Sequence, residues 1–210
     1  MGRVRVKICG VRSLEEARAA FDAGADALGF NFWPESPRYI APEAARAITS
    51  QLPPLIAFVG VFVNEERESI MDIVSQVGLS AVQLHGDESP DFCARLYRVK
   101  IIKAFRVGED FDVGLIEKYS VSAALLDTRI EGSFGGTGQR FDWSVALEAK
   151  KRAPVILAGG LTIENVADAI GQVSPMAIDV CSGVEASPGS KDLDKLRSFM
   201  NEVARANGEL

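Results

Sequence analysis

Short apolar segments alternate with amphipathic segments along the whole chain. The apolar segments are almost continuously hydrophobic, whereas a strand with one solvated face would alternate apolar and polar residues. Continuous apolar runs of this length are typical of parallel strands covered on both faces. The sequence predicts eight such strands, at residues 4–9, 27–33, 55–63, 81–85, 100–107, 123–128, 154–159 and 177–181.

The segments between these strands carry helix signals. Ser13 and Glu16 have the spacing of a capping box, and Gly24 would end the helix that they open. A second helix is expected from Thr162 to Gly171, and a long closing helix over 192–207. Eight repeated βα units predict an α/β fold, a single (β/α)8 TIM barrel over residues 1–210, with short loops because about 250 residues is typical of this fold.

Composition narrows the class of protein. A hydrophobic content of 47% is enough for one large core, while a net charge of −6 disfavours the basic face that nucleic-acid binding needs. The N-terminal MGRVRVKICG is too short and too charged for a signal peptide, and no apolar run approaches the roughly 20 residues of a membrane span. We therefore expect a cytoplasmic protein with neither nucleic-acid nor membrane partners.

The three cysteines are odd in number and lack metal-ligand spacing, so free thiols are expected rather than disulfides or a zinc site. Polar residues occur at or near the ends of many predicted strands, where the active sites of such barrels lie. Because a buried polar group is costly unless it is paired, this clustering indicates a functional site. These residues are Lys7, Cys9, Asn31, Asn64, Gln83, His85, Lys103, Arg106, Asp127 and Asp179.

Glycine turns follow the last two predicted strands, in AGGLTIENV and DVCSGVE. Gly159, Gly160 and Gly183 could simply turn the chain. Glycines also let backbone N–H groups approach an anion, and barrels of this fold frequently bind phosphate in these two loops. The presence of glycine turns in both loops favours a phosphorylated small-molecule ligand.

Four side chains are candidates for chemistry, each with a structural alternative. Cys9 is a base or nucleophile, or a small core residue, and Lys7 would face the same side of the strand as a nearby positive charge. Asp127 ends an apolar strand as a reactive carboxyl or as a partner of Arg129. Arg38 is either a solvated loop charge or a carboxylate clamp. The lone histidine, His85, fits a structural and a catalytic role equally well.

Together these residues resemble the phosphoribosylanthranilate isomerase family. The similarity runs in order from residue 7 to about 200 and includes every predicted strand. The combination of KICG, SPRYI, QLHG and GGTG is the most specific part. The motifs are KICG at 7–10, GFNFWPESPRYI at 29–40, GVFVN at 60–64, QLHGDE at 83–88, LLDT at 125–128, GGTGQRFDW at 135–143, LAGGLTIENV at 157–166 and DVCSGVE at 179–185.

The resemblance implies an Amadori rearrangement of N-(5-phosphoribosyl)anthranilate in tryptophan biosynthesis, without metal or organic cofactor. It implies that Cys9 is the general base, Asp127 the general acid and Arg38 the group that holds the anthranilate carboxylate. The loop 135–138 would close over the site. The residues expected to bind substrate are Lys7, Arg38, Gln83, His85, Gly136, Gly159, Gly160, Asp179, Ser182 and Gly183.

One departure from the family motif is Cys181, where serine is usual, which would weaken one hydroxyl contact near the phosphate. The related histidine-pathway isomerase uses two aspartates, so Cys9 argues against that assignment. An isomerase serving both pathways stays open, because specificity depends on loop details. A non-catalytic metabolite-binding barrel is disfavoured by the presence of both Cys9 and Asp127. The sequence leaves open whether the protein is a monomer or a homodimer.

Overall fold

Eight parallel strands close into a barrel in chain order, with β1 hydrogen-bonded to both β2 and β8. The computed structural model describes residues 2–128 and 142–210. The predicted (β/α)8 architecture is thus confirmed. The strands are β1 Arg5–Cys9, β2 Ala27–Asn31, β3 Ala57–Phe62, β4 Ala81–Leu84, β5 Lys100–Val107, β6 Ala123–Thr128, β7 Val155–Leu157 and β8 Ala177–Val180.

Seven α-helices occur among the described residues, between or after the strands. Ser13 and Glu16 form the predicted capping box at the start of the first helix, and Asp192 caps the last helix by accepting from two backbone N–H groups. The helices are α1 Leu14–Asp22, α2 Pro42–Thr49, α3 Arg67–Val77, α4 Pro90–Arg95, α5 Ser144–Ala149, α6 Val166–Val173 and α7 Leu193–Ala206.

The helix after β7 begins later than predicted. The Asn165 side chain donates to the carbonyl of Gly160 and accepts from the N–H of Thr162, which closes a turn before the helix. The helix starts at Val166 and continues past Gly171 to Val173, because Ser174 rather than the glycine adopts the left-handed conformation that ends it.

Two connections differ from the simple βα pattern. Between β5 and β6 the chain forms a 3-10 helix, Val113–Lys118, in place of an α-helix. After β8 a short 3-10 turn, Ser182–Val184, leads into a hairpin of β9 Glu185–Ser187 and β10 Ser190–Lys191 before α7. This hairpin, which sequence patterning did not predict, returns the chain toward the mouth of the barrel.

Apolar side chains fill two layers, one between the barrel and its helices and one inside the barrel. Successive strand residues point to opposite faces, so Leu126 packs in the outer layer while Leu125 packs in the inner one. The same alternation directs Asp127 to the interior side, at the end of β6. None of the helices described here is both long enough and apolar enough to cross a membrane.

Candidate active site

Lys7 and Asp179 form a buried ion pair on the interior side of β1 and β8. The two residues are direct register partners, and Lys7 Nζ lies 2.8 Å from Asp179 Oδ1. Burial raises the pKa of Asp179 to about 7, although the Lys7 charge opposes the rise. Burial likewise opposes the charge on Lys7, but Asp179 and Cys9 outweigh it and raise the pKa of the ammonium. Lys7 therefore stays protonated beneath the mouth of the barrel.

Cys9, two residues along β1, lies on the same face and contacts this ammonium. Lys7 Nζ and Cys9 Sγ both pack against Gly29 on β2. Each atom lies 3.0 Å from the position that a β-carbon would take at Gly29. The pKa of the Cys9 thiol is well below its ordinary value, because a hydrogen bond from Cys181 and the Lys7 charge outweigh burial. The arrangement supports a thiolate at the end of β1.

Asp127 lies at the end of β6 beside His85, which follows β4. His85 Nε2 is 3.3 Å from Asp127 Oδ2, and the other carboxylate oxygen accepts from the N–H of Thr128 at 2.8 Å. The Gln83 amide nitrogen contacts His85 Nδ1 at 2.9 Å. Within the described ranges, His85 Nε2 has no aligned hydrogen-bond partner. The structure thus brings the predicted Gln83, His85 and Asp127 together in one buried row.

Arg38 is not a solvated loop charge, because its guanidinium forms a two-point pair with Glu185. Nε donates to Oε1 at 2.9 Å and Nη2 to Oε2 at 2.8 Å. Gly10, with φ of +75°, makes room for it, since a β-carbon there would lie 2.9 Å from Arg38 Cδ. The arginine therefore passes directly above the residue that follows Cys9, and its second terminal nitrogen, Nη1, stays outside the pair.

Glu185 and Lys191 form a charged cluster with Arg38. Sequence reasoning did not single out either residue. Lys191 Nζ is fully buried and donates to Glu185 Oε1 at 3.1 Å and to the carbonyl of Cys181 at 3.0 Å. Burial alone would raise the pKa of Glu185, but Arg38 and Lys191 outweigh it and hold that pKa below the usual range. Glu185 belongs to the DVCSGVE motif; its partnership with Arg38, 147 residues away, has no local signal.

The glycine loops after β7 and β8 lie against each other and against β6. A β-carbon on Gly183 would come within 1.9 Å of the carbonyl oxygen of Leu161, in the other loop. Gly159 and Gly160 both have positive φ, and a β-carbon on Gly159 would collide with Thr128. Close packing requires glycine at positions 159 and 183, and the positive φ favours glycine at 159 and 160. Ser182 begins the 3-10 turn that contains Gly183 and leads into the hairpin.

Several of the polar residues near strand ends stabilise loops. Lys103 Nζ pairs with the buried Glu88 at 2.9 Å and also donates to the Gly86 carbonyl at 2.8 Å. Asn64, in the left-handed region at φ of +51°, accepts from the N–H of Asp87, and Asn31 donates to Ser36 Oγ. Only part of the predicted polar cluster therefore faces the site.

The predicted Gly136 and the loop 135–138 lie outside the described residues. All three cysteines are free thiols, as predicted, and Cys93 lies apart from the site in α4. In the described part of the chain, no group of three or more histidine, cysteine or acidic side chains has the geometry to hold a metal ion.

Fold and site together define a (β/α)8-barrel enzyme with ionisable groups gathered at the C-terminal ends of its strands. The model of the N-(5′-phosphoribosyl)anthranilate isomerase family matches residues 6–202. The chain is 50% identical, over 201 residues, to the N-(5′-phosphoribosyl)anthranilate isomerase of Geobacter sp. strain M21, covering 96% of this chain and 98% of that protein. The chain belongs to this family of tryptophan-biosynthesis isomerases, as its motifs predicted.

Solved structures agree with that assignment. The crystal structure of phosphoribosyl anthranilate isomerase from Thermotoga maritima superposes with a TM-score of 0.90 at 46% identity, covering 96% of this chain and 99% of that one. A second phosphoribosyl anthranilate isomerase structure, in complex with reduced 1-(o-carboxyphenylamino)-1-deoxyribulose 5-phosphate, superposes at 0.87, also at 46% identity and with the same coverage. The barrel is therefore that of the family.

Proposed function

We propose that the chain converts N-(5′-phosphoribosyl)anthranilate into 1-(2-carboxyphenylamino)-1-deoxyribulose 5-phosphate, with Cys9 as general base and Asp127 as general acid. The observation that carries this assignment is the position of the Cys9 thiol, whose pKa is lowered, at the end of β1 and of the Asp127 carboxyl at the end of β6, on the interior side of one barrel mouth. A solved relative is complexed with a reduced form of this product, which supports the substrate class.

The reaction is an isomerisation, so protons move but no oxidant or reductant is consumed. Asp127 gives a proton to the furanose ring oxygen, and the ring opens to a protonated imine (iminium) between the sugar C1 and the anthranilate nitrogen. Cys9 then removes the proton from C2, and the electrons of that bond form the enolamine. Protonation at C1 and loss of the C2 hydroxyl proton convert the enolamine to the ketose. The two protons gained, at the ring oxygen and C1, thus balance the two lost, from C2 and from its hydroxyl. An acid and a base of different proton affinity are both needed.

Cys181 and Lys7 lower the pKa of the Cys9 thiol, which favours the thiolate as the base. Asp127 Oδ1 accepts from the Thr128 N–H, which anchors the carboxyl, and Oδ2 faces His85 Nε2 at 3.3 Å. We assign Gln83 and His85 to the substrate-facing wall beside the acid. Lys7 and Asp179 form the floor, where their ion pair holds the base and its counter-charge in place.

The two ends of the substrate are anionic, and the mouth offers a complement to each. Arg38 would bind the anthranilate carboxylate through Nη1, while Glu185 keeps the other two guanidinium nitrogens fixed. The phosphate would lie against the backbone of the loops that contain Gly159, Gly160, Ser182 and Gly183, where N–H groups can approach an anion closely. Contact between these loops, through Gly183 and Leu161, supports one shared phosphate pocket.

A fluorescence assay tests the activity. Phosphoribosylanthranilate loses its anthranilate-type emission on rearrangement, so the purified protein should accelerate the decay above the spontaneous rate. The matched control is the double variant Cys9→Ala with Asp127→Asn, purified identically, which should return the decay to background. Equal decay with and without the wild-type protein would reject the proposed activity, and an active double variant would reject the two residue roles.

A further inference from the structure

The structure places two thiols side by side at the mouth of the barrel. Ile8 on β1 pairs with Val180 on β8. Cys9 and Cys181 are the next residues after this pair, so they are neighbours across the two strands. A β-carbon on Gly10 would lie 3.3 Å from Cys181 Sγ, and one on Gly29 would lie 3.0 Å from Cys9 Sγ. Each cysteine comes two residues after a member of the Lys7–Asp179 ion pair, so alternation along the backbone directs both sulfurs to the interior side.

The charged groups next to each sulfur determine which of the two thiols stays protonated. Cys9 contacts the Lys7 ammonium, which favours a negative charge on its sulfur. Cys181 Sγ instead lies 3.8 Å from Glu185 Oε1, whose negative charge disfavours a second anion beside it. The pKa of Cys181 is raised, first by its interaction with Cys9 and then by burial, although the charges of Lys191 and Arg38 oppose the rise. These contacts favour Cys181 as the donor and Cys9 as the acceptor.

The competing acceptor for the Cys181 proton is already occupied. Glu185 Oε1 accepts from Arg38 Nε at 2.9 Å and from Lys191 Nζ at 3.1 Å, both much closer than the thiol. Lys191 also approaches Cys181 Sγ at 3.8 Å as a donor, which occupies a lone pair of that sulfur and leaves its proton to the neighbouring thiolate.

We propose that Cys181 is a positioning residue whose thiol donates a hydrogen bond to the Cys9 thiolate and keeps that base ionised and fixed in direction. This role rests on the proposed function of Cys9. It also reinterprets the departure from the family motif, because Cys181 lies beside the base, where its thiol replaces the usual hydroxyl as a donor. The other charged groups near the pair are Asp179, Arg38 and Lys191, with Asp127 beyond Asp179.

Three substitutions at one position separate hydrogen bonding from packing. Cys181→Ser keeps a donor, whereas Cys181→Ala and Cys181→Val remove it, with a smaller and a fuller side chain respectively. If the alanine variant does not fold, the valine variant still removes the donor. Cys93→Ala, in α4 and outside the site, is the matched control for loss of a buried thiol.

The first readout is the pH profile of kcat/KM. Activity should fall on acidification as Cys9 is protonated, and loss of the donor makes protonation easier, so the acidic limb should move to higher pH in Cys181→Ala and Cys181→Val. Loss of one hydrogen bond should lower kcat/KM on that limb by about threefold to tenfold, with less change on the plateau. The limb should stay in place in Cys181→Ser and in Cys93→Ala.

The second readout needs no turnover. The rate of Cys9 alkylation by iodoacetamide, followed by mass spectrometry in the Cys93→Ala background without substrate, reports the thiolate fraction as pH changes. Its midpoint should rise in the alanine and valine variants and not in the serine variant. An unchanged midpoint in both donor-free variants, or a serine variant that behaves like alanine, would overturn the role of Cys181. If Cys9→Ala retains turnover, the proposed base is wrong, whatever the alkylation shows.

Discussion

Arg38 and Glu185 face each other with both guanidinium-to-carboxylate contacts made, and the pair stands directly above the turn that follows Cys9. The predicted substrate clamp is thus held by an internal carboxylate in addition to any ligand. A guanidinium that is already held by one carboxylate loses less conformational entropy when it binds a second carboxylate through its remaining nitrogen. The pair therefore connects the hairpin after β8 to the predicted anthranilate end of the site.

Replacing Glu185 by glutamine should destabilise the fold. The amide keeps part of the hydrogen bonding but leaves two buried cations, Arg38 and Lys191, without their counter-charge, so we expect a loss of about 2 to 4 kcal/mol. Urea unfolding of wild type and Glu185→Gln measures this loss of unfolding free energy. The control is Asp194→Asn, which breaks an exposed pair with Arg197 and should change stability by less than about 0.5 kcal/mol.

The pH dependence of that difference is a separate test. Because the pKa of Glu185 is depressed in the folded protein, its charge contributes stability fully above the ordinary glutamate pKa of about 4.3. The contribution is lost as pH falls through the lower, folded pKa. The difference in unfolding free energy between wild type and Glu185→Gln should shrink on acidification, and a difference that is constant from neutral pH down to acid unfolding would contradict the assignment.

Arg38→Lys should weaken binding of a product analogue because a single ammonium cannot pair with Glu185 at two points and still offer a separate N–H to the ligand carboxylate, and Arg38→Ala should weaken it further. The comparison that isolates the carboxylate contact uses an analogue without that group, titrated against the same variants. Affinity for this second analogue should hardly change. If both analogues lose affinity equally, Arg38 acts by holding Glu185 in place rather than by binding the anthranilate carboxylate.

Cys9 and Asp127 should fail at different steps. Cys9→Ser, with a much weaker base, and Asp127→Asn, with no proton to give, should each lower kcat by about 10² to 10⁴. With substrate deuterated at ribose C2, the serine variant should show a primary isotope effect on kcat, since only the base step breaks that bond. Asp127→Asn, limited by ring opening, should show little. The reverse pattern would exchange the two roles.

Substitutions at Ser182 test the phosphate pocket without changing the glycines that have positive φ. Gly160 has φ of +64°, so any β-branched replacement there would disturb the backbone as well as the ligand. Ser182→Asp places a negative charge in the loop, and Ser182→Asn is its neutral control of similar size. Inorganic phosphate should inhibit wild type and the asparagine variant competitively and the aspartate variant weakly. Equal inhibition of all three would place the phosphate elsewhere.

The local pattern of residues determined the strands, the barrel and the direction of the interior side chains. Hydrophobic continuity identified all eight strands, the Ser13 capping box started α1, and alternation along β1 placed Lys7 and Cys9 on one face. These features follow from neighbours a few residues apart, which the sequence displays directly. The start of α6 was predicted wrongly, because the turn made by Asn165 competes with the helix signal at Thr162.

Only the tertiary structure decided the partners of the functional groups. Cys9 meets Cys181 because β8 closes the barrel against β1, and Arg38 meets Glu185 because a hairpin returns the chain to the mouth. Neither contact has a periodicity, since residues more than a hundred positions apart are brought together by barrel closure rather than by local conformation. Ionisation of a buried thiol or carboxyl depends on such distant charges, so the chemistry of the site is a property of the closed barrel.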